Sequence, residues 1–488
     1  MKKKVVVIGA GAAGLMAAAA AADNGHAVTI LEKNEKAGKK IYITGKGRCN
    51  LTNDCATEDF FGHVARNHKF LYSAVYGFDH EMVKDYFVRN GCPVKVERGN
   101  RVFPVSDHAS DVTAALLRDL QKKGVRIRYR TKAVNILTQD VQVRNPHDLD
   151  MSGAGQDGRK MHGAAPQSES RVAGVRLENG ETVPADAVIL CTGGLSYPST
   201  GSTGDGLDMA RKLGMEVTPT APSLVPFETA ESWCRDLQGL ALKNVSVRIF
   251  PMETVSAQER FDMSEEERAP GQTQTERTPA AAALSADGTG DKKSRRRPGK
   301  KRKKPVYEAF GELLFTHFGL SGPIILTASC YCDFAQNPQG FRLLLDLKPA
   351  MTLEEVEERL RREFAAAPNR HLPGAVRPLF PARLAEAVSD LSGLGTERRC
   401  AAFTDAEIYK LAALIKEIPV TVTGTRGYNE AIITRGGISV KEWNPSTMES
   451  RRIFGLYAAG EVLDVDAQTG GFNLQIAWST GHLAGTSV

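Results

Sequence analysis

Val5–Ile8 is an unbroken β-branched run, the pattern of a parallel strand buried on both faces. Glycines at 9, 11 and 14 follow, then alanines from Ala17 to Ala22, so a strand, a tight turn and a small-residue helix are predicted in that order. A second apolar strand, Ala27–Leu31, stops at Glu32. Asp79–Asn90 and Asp111–Lys123 repeat with helical period, and Val125–Tyr129 reads as the next strand. Ala187–Leu190 is again fully apolar and ends in Cys191-Thr192-Gly193-Gly194. The glycine-rich stretch Gly201–Gly206 then opens a helix. Near the C-terminus, Gly455–Glu461 predicts a short strand entering a glycine turn. Gly470-Gly471-Phe472-Asn473-Leu474 starts a small-residue helix to about Ala484. Between these, alternation at Val245–Ile249 and Phe341–Leu347 predicts a β-rich middle. Leu353–Phe364 and Asp405–Ile415 are predicted helices with Glu and Arg outward.

Two stretches interrupt the pattern. Residues 145–170 are rich in Gly, His, Ser and Asp, as in a long surface loop within a hairpin. Residues 251–306 shift to Gln, Thr, Glu, Ala and Gly and then to a basic run; they cannot bury a core and are expected to be a solvated excursion. Residues 292–304 hold ten Lys and Arg and no acid, so the formal charge of +6 belongs to that run, and the remainder carries −4. No aromatic residues are interleaved there, so nucleic-acid binding by the catalytic body is not expected.

At 488 residues the chain suits about three domains. The eight cysteines form no CxxC pair; reduced thiols, a cytoplasmic setting and no metal are expected. Cys330 and Cys332 have the spacing of alternating strand faces. Three lysines before an apolar stretch imitate a signal peptide or membrane span, but the glycines at 9, 11 and 14 argue against both.

Those glycines have a chemical reading. Gly9 permits the turn, Gly11 lets backbone approach a diphosphate, and Gly14 lets helix and strand lie close. Ala13 lies in the same turn. Glu32, 18 residues beyond Gly14, can accept both hydroxyls of an adenosine ribose and would repel a 2′-phosphate, which leaves FAD or NAD. The second glycine turn, with Gly460, Glu461 and Gly471, favours FAD, because a long cofactor needs a second helix N-terminus beside its reducible ring. Thr192 and Gly193 mark a third strand end where backbone can meet a ligand. There is a single GxGxxG, so a separate nicotinamide-binding domain is not predicted.

Between the first and third strand ends lies Thr44-Gly45-Lys46-Gly47-Arg48-Cys49-Asn50-Leu51-Thr52-Asn53. Later come Arg101-Val102-Phe103-Pro104, Leu195-Ser196-Tyr197-Pro198 after the Gly193-Gly194 pair, and the stretch Gly311–Pro323. In these motifs the sequence resembles the BaiN-like flavoproteins, a bacterial family of FAD-dependent, NAD(P)H-linked oxidoreductases, over nearly its whole length. The resemblance implies an α/β fold: a Rossmann-like, two-dinucleotide-binding-type FAD domain interrupted by a β-rich, barrel-like insert and a helical unit. On that reading residues 1–215 and 410–488 form the FAD domain, 216–348 the β-rich insert and 349–409 the helical part. It also implies an FAD site at Gly11, Ala13, Gly14, Glu32, Lys33, Lys39, Lys40, Gly47, Arg48, Asn50, Val134, Glu461, Gly471, Asn473 and Leu474. Lys39 and Lys40 also read as solvated surface charges.

The activity implied is reduction of a carbon–carbon double bond conjugated to a ketone, on a hydrophobic enone of steroid or bile-acid type. Reduced flavin would deliver hydride, and an acid would protonate the α-carbon. Tyr197 is the candidate acid, with Arg48 and Thr316 as carbonyl or anion donors; Tyr197 also reads as a packing residue before Pro198. His317 reads as a core or strand histidine, and Cys49 beside Arg48 as a candidate low-pKa thiol. Two other readings stand: an amine or aminoketone oxidase using oxygen, and a flavin-bearing RNA-associated protein using residues 292–304.

Overall fold

A computed structural model of the chain describes residues 1–142, 168–252 and 304–488. Most of the loop expected at 145–170, most of the excursion at 251–306, and the basic run except Lys304 lie outside the described residues.

The chain opens with strand β1 (Lys4–Ile8), helix α1 (Ala12–Asp23), β2 (Ala27–Leu31), β3 (Arg126–Arg128) and β4 (Ala187–Leu190). The middle supplies β5 (Phe227–Thr229), β6 (Ala241–Pro251), β7 (Tyr307–Thr316), β8 (Gly319–Ser321) and β9 (Phe341–Asp346). Helices α2 (Leu353–Ala366), α3 (Ala382–Ser392) and α4 (Asp405–Lys416) lead to β10 (Ile418–Thr425), and the chain closes with β11 (Leu456–Ala458) and α5 (Phe472–Thr486).

β1, β2, β3, β4 and β11 form one parallel sheet in the order β11-β4-β1-β2-β3. β4 pairs with β1 in the register Val5↔Ala187, so two apolar runs far apart in sequence share the sheet's centre. Val5, Val6, Val7 and Ile8 are buried, as are all four residues of β4. Helix α1 is buried along Ala13–Ala21, which is why small side chains rather than an amphipathic stripe occupy it. It packs against α5, also buried through most of its length. Gly14 shows how close this packing is: a Cβ there would stand 1.9 Å from the Gly9 carbonyl oxygen.

The middle strands close into an antiparallel barrel in the order β5-β8-β7-β6-β9-β10. Phe341, Leu343 and Leu345 alternate inward along β9 and are fully buried, each worth about 1.5–3 kcal/mol of transfer free energy. The barrel and the helical unit share one hydrophobic core, and the parallel sheet with its helices has another. Helices α2 and α4 begin with capping boxes, Thr352 with Glu355 and Thr404 with Glu407, which satisfy otherwise unpaired N–H groups. The arms Ala133–Gln142 and Ser168–Leu177 pair as the antiparallel hairpin expected around 145–170.

Two local expectations are corrected. Cys330 and Cys332 do not alternate on a strand: Gly322 and Pro323 start a helix, Pro323–Ser329, and both cysteines are buried at its end. Proline suits the first helical position because it has no N–H to leave unpaired. His317 is exposed in the turn between β7 and β8, neither core nor strand. No helix among the described residues is long and apolar enough to cross a membrane.

Candidate functional site

The carboxyl ends of β1, β2, β4 and β11 open on one cleft. Of the residues expected to bind cofactor, Gly9, Gly11, Ala13, Glu32, Lys33, Lys39, Lys40, Thr192, Gly193, Gly460, Glu461, Asn473 and Leu474 line it. Gly14 stands behind the wall as the close contact between α1 and the first turn. Gly471 is the N-cap of α5; its φ is +102°, and a Cβ there would be 2.3 Å from the Thr52 carbonyl oxygen, so the turn requires glycine.

Glu32 is nearly buried, 7% exposed. Its Oε2 accepts from the Ala10 N–H, and its Oε1 from the Asn34 N–H and Nδ2, each at 2.8 Å. One carboxylate thus ties the first glycine turn to the segment after β2. Oε2 keeps lone-pair capacity toward the cleft.

At the other end, Lys40 Nζ donates to Glu461 Oε2 at 2.6 Å and to Ser196 Oγ at 2.5 Å. Ser196 Oγ in turn donates to Glu461 Oε1 at 2.5 Å, and the Thr434 N–H donates to the same oxygen at 2.8 Å. The Leu195 and Ser196 N–H groups both donate to Thr434 Oγ1. This cluster joins four segments remote in sequence. Ser196 and Thr434 were not singled out from sequence, nor were Ile432 and Ile433, which line the cleft beside them.

The residues present fit FAD. α1 and α5 each begin at a glycine with no side-chain cap and no acid in the first turn, so the first N–H groups of both remain donors for anionic atoms. Asn50, also expected at the cofactor, does not line the cleft; its Oδ1 is buried with no hydrogen-bond partner among the described residues.

Other expected residues lie elsewhere. Arg48 does not line the cleft: its guanidinium donates to Glu97 and Asp107 and stacks 4.1 Å over the Phe103 ring, and those carboxylates raise its pKa further. Its charge is compensated locally by these two carboxylates. Gly47 adjoins it in the same loop. The Val134 carbonyl accepts from Lys212 at 3.3 Å, while its neighbour Ala133 lines the cleft. Thr316 Oγ1 donates to the Gly319 carbonyl at 3.1 Å, so its proton is spent inside the barrel hairpin. Tyr197 is half-buried with φ +51°; burial raises its pKa, and nearby Glu430 adds to that. Cys49 is not a low-pKa thiol: complete burial pushes it up to about 12.

A further polar group joins the insert to the dinucleotide-binding unit beyond Asn473. Asn473 Nδ2 donates to the Ala467 and Gln468 carbonyls. His63 Nδ1 contacts Gln468 Oε1 at 3.0 Å, and Gln468 Nε2 donates to the Tyr331 hydroxyl at 2.9 Å. His63 Nδ1 and the Tyr331 hydroxyl thus meet the two ends of one side-chain amide. Alongside, Arg66 Nη1 holds both oxygens of fully buried Asp466 at 2.9 and 3.2 Å, and its Nη2 holds the Cys330 carbonyl at 2.9 Å. Burial raises the pKa of Asp466. Nothing in the sequence pattern pointed to these partners.

Residues 3–156 and 146–487 match a family described as HI0933-like protein Rossmann domain. The chain belongs to this family. The BaiN-like resemblance read from its motifs agrees with the curated relatives. Over 487 residues, 99% of this chain and 98% of the relative, it is 26% identical to the 3-dehydro-bile acid delta(4,6)-reductase of Clostridium scindens. Over 478 residues, 97% and 95%, it is 27% identical to the ribosomal RNA dihydrouridine synthase of Escherichia coli. Among solved structures, a 3-ketosteroid delta1-dehydrogenase from Sterolibacterium denitrificans overlays with a TM-score of 0.44 at 14% identity, covering 99% of this chain and 98% of that one. This family member is an FAD-dependent oxidoreductase with a Rossmann-type FAD domain and a six-stranded barrel.

Proposed function

We propose that the chain reduces a carbon–carbon double bond conjugated to a carbonyl, with FAD as hydride carrier and NAD(P)H as electron source. The observation that carries this reading is that two relatives matched end to end are named for one kind of bond change. A delta(4,6)-reductase of a 3-dehydro bile acid and a dihydrouridine synthase each saturate, by name, a ring double bond; in both rings a carbonyl is conjugated with it. When bound, FAD supplies the hydride.

The chain's own task is to hold that cofactor, orient the substrate carbonyl and place a proton on the α-carbon. Glu32 and the N-terminus of α1 suit the ribose and diphosphate. Lys40, compensated by Glu461, is a cation held in the cleft wall. For the proton we favour Tyr331 over Tyr197, because Gln468 links its hydroxyl to Asn473 of the cleft wall. Tyr331→Phe should lower turnover and abolish the solvent isotope effect while FAD content stays unchanged; Tyr197→Phe should leave that isotope effect intact. The opposite pattern returns the role to Tyr197.

One observation favours a uracil ring within RNA as a form of this substrate. The Escherichia coli relative is named for ribosomal RNA, and residues 292–304 have the composition that neutralises phosphates. A reducing, cytoplasmic setting suits eight unpaired thiols. Oxidation of NADH or NADPH in the presence of a steroid dienone or a uridine-containing RNA, and oxygen consumption in the presence of an amine, test the proposal. Turnover is expected with a conjugated double bond; turnover with amines alone would overturn it.

A further inference from the structure

Three polar side chains stand in a row between the dinucleotide-binding unit and the insert, and the proposed reaction uses one end of it. Val64 and Ala467 form an antiparallel bridge, and the Gln468 N–H donates to the His63 carbonyl at 2.9 Å. The backbone therefore sets the two side chains together, with His63 Nδ1 3.0 Å from one end of the Gln468 amide. The His63 ring lies flat on Phe472, 4.3 Å between centroids and 16° between planes, and Phe472 is the first residue of α5. From the insert, Tyr331 stacks on Tyr307 of β7 at 5.4 Å and 22°, and its hydroxyl meets the other end of the amide at 2.9 Å. Both outer rings are held by stacking, so what is free to change along the row is where its protons sit.

An amide donates from its NH₂ and accepts at its oxygen, and it can be turned either way. With the oxygen toward His63, Nδ1 carries a proton, the NH₂ donates to the Tyr331 oxygen, and the Tyr331 O–H points elsewhere. With the NH₂ toward His63, Nδ1 is bare and the Tyr331 O–H is drawn to the amide oxygen. An imidazolium has a proton on both nitrogens and admits only the first arrangement; a neutral imidazole admits both. The charged groups on the elements packed around His63 are Glu58 and Asp59, exposed on the short helix before it, Arg66 on its own segment, and Asp464 and Asp466 on the bridged segment. Arg66 and Asp466 compensate each other, and the first turn of α5 has no acid. Tyr307 is the titratable group stacked on Tyr331.

We propose that His63 is a positioning residue whose protonation turns the Gln468 amide so that the Tyr331 O–H is presented to the substrate. This rests on the reading of Tyr331 as proton donor in the double-bond reduction. The balance of that step is unchanged: the β-carbon gains a hydride that originates from NAD(P)H, the α-carbon gains the Tyr331 proton, and water returns a proton to the tyrosinate.

The test mixes the anaerobically reduced, FAD-loaded full chain with a steroid dienone or a uridine-containing RNA and follows the limiting rate of flavin reoxidation from about pH 5 to 8, the range in which histidine titrates. In the parent that rate should fall at least about twofold as His63 loses its proton, the value for two equally populated neutral arrangements, while half-saturation stays constant. His63→Asn supplies an amide that turns at any pH, so it should react without that step in its pH profile. His63→Phe keeps the stacking on Phe472 and should be no faster than the parent at high pH, with FAD content and half-saturation unchanged. In a Gln468→Leu background His63→Phe should add nothing, because the link is already cut. The same pH step in His63→Asn as in the parent, a His63→Phe variant altered only in half-saturation, or additive losses from His63→Phe and Gln468→Leu would each overturn the proposal. A parent that reduces no conjugated substrate at any pH overturns the functional reading, and this inference with it.

Discussion

Replacing Glu32 with Gln separates its structural from its cofactor role. The carboxylate collects three N–H donors at 2.8 Å, one on Oε2 and two on Oε1. A Gln amide oxygen at the Oε1 position keeps both Asn34 contacts but sets its NH₂ against the Ala10 N–H, in a site only 7% exposed. One hydrogen bond to a charged acceptor is lost, worth about 1.5–3 kcal/mol, and a buried donor is left unpaired at about 1–3 kcal/mol. Partial relaxation of the turn offsets some of this, so the FAD-free protein should lose about 2–4 kcal/mol in urea titration. FAD affinity should fall as well, because the ribose acceptor is weakened; Glu32→Ala should release FAD more readily still. An FAD-free Glu32→Gln variant as stable as the parent, with unchanged FAD affinity, would refute the reasoning.

Three further outcomes follow from the same geometry. Asp466→Asn should destabilise the contact between insert and dinucleotide-binding unit by about 1–3 kcal/mol, less than the loss of a fully buried pair because Arg66 retains water on one side; no change in the urea midpoint would contradict it. Of the eight thiols, seven are buried and Cys55 is half-buried, so a thiol reagent at mildly alkaline pH should label one rapidly in the native chain and all eight after unfolding; rapid native labelling of Cys49 would contradict its pKa of about 12. Arg398 and the Thr404 N–H hold Glu407 down at about 2 against an ordinary 4.5, so its stabilisation is complete above pH 4.5 and fades as pH falls toward 2. Glu407→Gln should flatten that part of the acid-unfolding profile, and an unaltered profile would show that the pair adds nothing.

What sequence revealed and what it hid divide along a physical line. β1, β2, β4 and α1 were legible because apolar runs, small-residue stretches and glycines act locally on the backbone. The second turn was legible for the same reason, since Gly471 has to adopt a conformation that other residues resist. The Lys40–Ser196–Glu461–Thr434 cluster was not, because its members meet only after the sheet and β-rich insert assemble. The partners of Arg48 were hidden in the same way: Glu97 and Asp107, far along the chain, meet it only in the folded protein. Cys330 and Cys332 suggested a strand because spacing was weighed above Pro323, which starts the helix before them.

Mixing anaerobically reduced, FAD-loaded protein with conjugated substrates and with amines tests the central claim most directly. The account predicts that a steroid dienone or a uridine-containing RNA restores the oxidised flavin spectrum and is recovered with its double bond saturated. If none of the conjugated compounds restores that spectrum, and reoxidation occurs only with oxygen in step with amine consumption, the reductase account is wrong.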